Sequence, residues 1–82
     1  MYHISEGEFR RYAAERRLEL AQAIRNSGLT IYEIAKGTRM KWDTVLRISQ
    51  GKPARNESQD RVRCYLELYN NDHHHQHEKE TN

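Results

Sequence analysis

The chain has one cysteine, one proline and four glycines in 82 residues, and no apolar run longer than three. Each shortage excludes something. A lone Cys64 cannot close an internal disulfide. Runs of three fall far short of the ~20 apolar residues that a membrane-crossing helix needs. The opening Met1-Tyr2-His3-Ile4-Ser5-Glu6 lacks the basic-then-apolar pattern of a secretory signal. The expectation is a cytoplasmic chain with a reduced thiol. Outside the C-terminal stretch the only histidine is His3. No Ser-His-Asp, Cys-His or paired-carboxylate set emerges, so no enzyme activity, cofactor or small-molecule ligand is expected. Strand-like alternation and internal repeats are missing too. Hydrophobic residues make up only 35%, against a usual ~45–50%. The core must be thin, because a chain of this size buries only about 60–65% of its surface on folding.

What is present is charge, unevenly spread. The net charge is +2. Residues 28–56 carry Lys36, Arg39, Lys41, Arg47, Lys52 and Arg55 against Glu33 and Asp43, a local net of +4. The flanking segments stay between +1 and −2. A polyanion contacting the middle third is one reading; a solvated surface with a chance excess is the other.

Glycine and proline mark the boundaries. Ser5-Glu6-Gly7-Glu8 fits a capping box, with Ile4 and Phe9 as the flanking staple pair. A helix follows whose apolar face is read as Phe9, Tyr12, Ala13, Arg16, Leu20, Ala23 and Ile24, ending at Gly28. A second capping box, Thr30-Ile31-Tyr32-Glu33, opens a short helix that Gly37-Thr38-Arg39 interrupts. A third helix carries Met40, Val45 and Ile48 on its apolar side, and Gly51 and Pro53 stop it. A last helix begins near Asn56 or Ser58, carries Val62, Tyr65, Leu66 and Tyr69, and ends at Asn70-Asn71-Asp72. One domain over residues 1–71 and a disordered His-rich polar tail over 72–82 are expected. His73, His74, His75 and His77 could bind a transition metal, but a polar tail without ordered surroundings is the favoured reading and no metal site is assigned.

The stretch from Leu29 to Lys52, LTIYEIAKGTRMKWDTVLRISQGK, resembles the helix-turn-helix of lambda-repressor-like (Xre/Cro-type) DNA-binding domains. Leu29, Thr30, Glu33, Ile34, Ala35, Met40, Thr44, Val45, Ile48, Gly51 and Lys52 carry the resemblance, which extends over roughly residues 18–68. Four positions depart from that pattern. Thr38-Arg39 stands where the family usually has Leu-Gly, Ile31 where it has a polar phosphate anchor, and Lys41 where it has a Ser/Thr cap.

The resemblance implies an all-α, compact bundle of four to five helices and sequence-specific binding of double-stranded DNA, as in a small transcriptional regulator. The helix starting near Lys41 would read the major groove, which admits a helix. Lys41, Trp42, Asp43, Thr44 and Arg47 are the candidate base-reading residues. Thr30, Tyr32, Arg39, Gln50, Lys52 and Arg55 are candidates for phosphate contact, with Lys36 nearby. Each has a plainer alternative. Trp42 stacks on DNA or folds back onto the surface. Arg47 reads guanine or pairs with Asp43 at i, i+4. The alternative function is a protein-interaction module, an antitoxin or phage-type adaptor, that keeps the fold without specific DNA binding. A homodimer on DNA is a further expectation, with Cys64 and Leu68 beside Val62, Tyr65, Leu66 and Tyr69 of the last helix, and Leu18 of the first, as a candidate self-complementary patch.

Overall fold

A computed structural model describes the backbone of residues 2–81 and the side chains of residues 2–72. It has four helices, α1 (Glu6–Ser27), α2 (Ile31–Thr38), α3 (Trp42–Ser49) and α4 (Asn56–Thr81), and no strand among the described residues.

Local chemistry sets the helix starts. At α1, Ser5 Oγ accepts from the Glu8 amide at 3.1 Å and Glu8 Oε1 accepts from the Ser5 amide at 3.1 Å. At α2, Thr30 Oγ1 accepts from the Glu33 amide at 3.1 Å and Glu33 Oε1 accepts from the Thr30 amide at 2.9 Å. Both capping boxes are therefore complete. The helix ends use left-handed residues: Gly28 at φ 76° after α1 and Gly51 at φ 75° after α3.

The end of α2 differs from the expected interruption at Gly37. The helix runs through Gly37 to Thr38, and Arg39 turns left-handed at φ 59°, ψ 41°. The Met40 amide donates to the Ala35 carbonyl at 3.0 Å and the Arg39 amide to Lys36 at 3.4 Å. That is a Schellman ending with arginine where glycine is usual, at a cost of about 1–2 kcal/mol. Thr38, buried at the last turn, donates its hydroxyl to the Ile34 carbonyl at 2.7 Å. Gly37 serves packing rather than turning. A Cβ there would lie 2.5 Å from Cζ and 2.7 Å from Oη of Tyr65, so the missing side chain admits the α4 ring against α2.

The core is small and draws on every helix: Leu20, Ala21 and Ile24 from α1, Ile34 and Ala35 from α2, Val45 and Ile48 from α3, Val62 and Leu66 from α4. Ala23, Leu29, Ile31, Met40, Ala54 and Tyr65 pack around it, half-buried. Arg17 Nε donates to the Gly51 carbonyl at 3.3 Å, tying α1 to the loop after α3.

Two expectations are corrected. The face read for α1 is wrong over its first half. Phe9 and Tyr12 are 54% and 60% exposed, Arg16 is exposed, Ala13 and Ala23 are half-buried, and Ala21 takes a core position instead. The reason is length. At 1.5 Å per residue, α1 is about 33 Å long, whereas α3 is only about 12 Å; α1 packs against α3 and α4 rather than α2, and its buried residues lie only in its C-terminal half. The second correction concerns α4, which does not end at Asn70-Asn71-Asp72 but continues to Thr81. No glycine or proline follows Pro53, and Asn and Asp lower helix propensity without breaking a helix. The side chains of His73, His74, His75 and His77, and with them the metal question, lie outside the described residues.

Candidate nucleic-acid interface

The helix α3 separates its residues by side. Val45 and Ile48 are at 0% and 2% exposure. At 100° per residue the opposite side carries Asp43, Leu46, Arg47 and Gln50, with Trp42 and Thr44 at its two edges. Lys41, Trp42, Asp43, Arg47 and Gln50 are exposed, while Thr44 and Leu46 are half-buried. Four of the five candidate base-reading residues therefore lie open along one helix and its cap, and Thr44 borders the buried side. Gln50, grouped with the phosphate candidates on sequence, shares the outward line of Asp43 and Arg47.

The start of α3 is unlike the other two capped starts. Lys41 is the cap and makes no side-chain bond to the helix. Its carbonyl accepts from the Thr44 and Val45 amides at 3.1 and 3.2 Å. The first amides of α3 therefore have no carboxylate folded back over them, whereas Glu8 and Glu33 close the starts of α1 and α2. The Thr30 amide bond, followed by the Thr30 hydroxyl, holds the Glu33 carboxyl below its ordinary value. Glu33 is thus a firm anion at the start of α2. Thr30, a phosphate candidate on sequence, has its amide engaged there and its hydroxyl accepting from the helix. Ile31, at the position of the expected polar anchor, packs against the core.

Arg47 Nη2 donates to the Pro53 carbonyl at 3.1 Å and forms no ion pair with Asp43. The bond spans the turn after α3 and leaves the other guanidinium N–H groups free. All three ion pairs among the described residues lie within α1 or α4: Glu6–Arg10, Glu57–Arg61 and Asp60–Arg63. Among the described residues the exposed Lys36, Arg39, Lys41, Lys52 and Arg55 have no carboxylate partner. Tyr32 is 62% exposed. The cationic excess of the middle third is therefore uncompensated around α2 and α3.

Among the described residues no group of three His, Cys, Asp or Glu side chains is arranged to hold a metal ion, and no helix is long and apolar enough to cross a membrane. Cys64 is a free, exposed thiol. No protein-family model, no curated protein and no solved structure matches the chain.

Proposed function

We propose that the chain binds double-stranded DNA sequence-specifically, as a small transcriptional regulator with a lambda-repressor-like helix-turn-helix formed by α2, the Arg39–Lys41 turn and α3. The observation that carries this reading is the segregation of charge. Residues 28–56 carry six Lys/Arg against two carboxylates, and none of those cations has a carboxylate partner among the described residues, whereas α1 is near balance with five arginines against four glutamates and both described arginines of α4 are paired. Uncompensated cations beside an exposed helix suit a polyanion, because each phosphate contact releases condensed counterions. In this reading Lys36, Arg39, Lys52 and Arg55 contact phosphates, with Tyr32 and Gln50 as neutral donors. Lys41, Trp42, Asp43, Thr44 and Arg47 meet the base edges, with Arg47 suited to guanine. Two copies occupy two half-sites, since one module of this size buries only about 600–1,000 Å² of its own surface on DNA. Neither catalysis nor a cofactor has a part.

A second reading is a protein-interaction module of the same architecture, and the carboxylates favour it. Among the described residues Asp43 has no ion-pair partner on the outward line of α3, and Glu33 guards the start of α2 where a phosphate would otherwise dock. Fluorescence anisotropy of a labelled random duplex at two salt concentrations separates the readings. DNA binding predicts an affinity that falls steeply with salt, about one logarithmic unit per logarithmic unit of salt for each phosphate contacted. No binding at low salt would leave the interaction module.

A further inference from the structure

The loop between α3 and α4 is held by side chains from three helices. Arg17 of α1 donates from Nε to the Gly51 carbonyl at 3.3 Å. Arg47 of α3 donates from Nη2 to the Pro53 carbonyl at 3.1 Å. Gln59 of α4 donates from Nε2 to the Ala54 carbonyl at 2.8 Å. The first turn of the loop is fixed as well, since the Lys52 amide donates to the Arg47 carbonyl at 3.1 Å. A Cβ on Gly51 would lie 3.2 Å from Cδ2 of Leu18, so α1 closes directly on that turn. The residues four before and four after Arg17 are Ala13 and Ala21, so no carboxylate at helical pairing distance competes for its guanidinium. The side chains that the loop itself carries, Lys52 and Arg55, are exposed. Lys52 adjoins Pro53, and Arg55 is at most about 7 Å of chain beyond it. Arg47, Lys52 and Arg55 thus gather at the C-terminal end of α3, with no carboxylate partner among the described residues.

We propose that this loop is a preformed phosphodiester clamp in which Arg17 and Gln59 are positioning residues. They hold the backbone that carries Lys52 and Arg55 beside α3, and contact no phosphate themselves. The clamp rests on the DNA reading above and extends it to residues outside the helix-turn-helix. A loose loop would have to be ordered when DNA binds, which weakens binding. With its carbonyls already bonded, only the rotamers of Lys52 and Arg55 remain to be fixed. Three like charges gathered at one helix end also repel one another in the free chain, and a bound phosphate relieves that repulsion. Arg17 is half-buried and joins the loop from α1, while Lys52 and Arg55 stand open to solvent.

Two substitutions at Arg17 separate holding from direct contact. Arg17→Gln keeps a nitrogen donor the same number of bonds from the backbone as Nε and removes the charge. Arg17→Met keeps the length and removes the donor. Anisotropy of a labelled duplex over a salt series, with the full chain, counts the phosphates contacted. Arg17→Met should lower the salt slope by about one for each of Lys52 and Arg55 released, and Arg17→Gln should keep the native slope. Gln59→Leu, which removes the Ala54 bond, should act in the same direction as Arg17→Met and gives a second route should that chain fail to fold. In a Lys52→Ala, Arg55→Ala background Arg17→Met should change the slope no further. Without DNA, the heteronuclear NOEs of the Lys52 and Arg55 amides should fall in Arg17→Met and not in Arg17→Gln. A native slope in both Arg17→Met and Gln59→Leu overturns the clamp, whatever the melting temperatures do. Equal loss in Arg17→Gln and Arg17→Met overturns it too, by making Arg17 a phosphate contact. Both outcomes leave DNA binding standing, whereas a native chain that binds no duplex at low salt removes the DNA reading and the clamp together.

Discussion

Arg47 holds a position that two interactions compete for. Its guanidinium bonds the Pro53 carbonyl, which aims the side chain along the turn and keeps it off Asp43. Arg47→Ala should weaken specific DNA binding by about 1–3 kcal/mol and relax the preference at one base pair. Binding curves on a matched and a singly substituted duplex measure both effects, and identical curves for the two chains would remove Arg47 from the reading set. Gly37 offers a test of packing. Alanine should strengthen α2 by up to about 1 kcal/mol, but its Cβ enters the space of the Tyr65 ring. Gly37→Ala should therefore lower stability in the native background and raise it in a Tyr65→Ala background. A denaturation double-mutant cycle reads the change of sign.

The helices show which signals are legible in a sequence. Both capping boxes, with their S/T-x-x-E pattern, are readable before any coordinates, because their chemistry is contained in four residues. The side of α3 that faces inward is readable as well, since Val45 and Ile48 are spaced to share it. The burial of α1 was not. Phe9 and Tyr12 sit at acceptable spacing on an apolar face, and only the tertiary fit, in which α3 and α4 bury the C-terminal half of α1, decides that they stay exposed. The close approach of Tyr65 to Gly37 is a long-range contact with no local signature, so the glycine reads as a breaker. Of the candidate interface, the identity of the exposed residues was legible. The absence of carboxylate partners around Lys36, Arg39, Lys41, Lys52 and Arg55 needed the fold. The capping boxes also predict an acid response. The Ser5 amide, then the Tyr2 hydroxyl and the Ser5 hydroxyl, hold Glu8 below its ordinary value, as Thr30 does Glu33. A depressed carboxyl pKa stabilises the fold above its unfolded value, and that contribution is lost as pH falls through the folded value. Acidification below the usual carboxylate range should therefore loosen both helix starts, read by NMR as moving Ser5 and Thr30 amide shifts. Glu33→Gln should abolish the response at Thr30 alone.

At the scale of the whole molecule, the globule is a thin four-helix body from which two helices extend. Among the described residues the last buried one of α4 is Leu66, with Tyr69 half-buried beyond it and stacked on Tyr65 at 6.4 Å between centroids. Deleting residues 72–82 should therefore leave the melting temperature nearly unchanged, and a drop of more than a few degrees would show that the segment docks. The uncovered first half of α1 also divides one continuous helix into two regimes of amide hydrogen exchange. Amides near Arg10–Tyr12 can open by local fraying and should exchange with little memory of global stability. Those near Leu20–Ile24 lie over the core and should wait for the whole body to unfold. One helix would thus report two free energies in a single measurement.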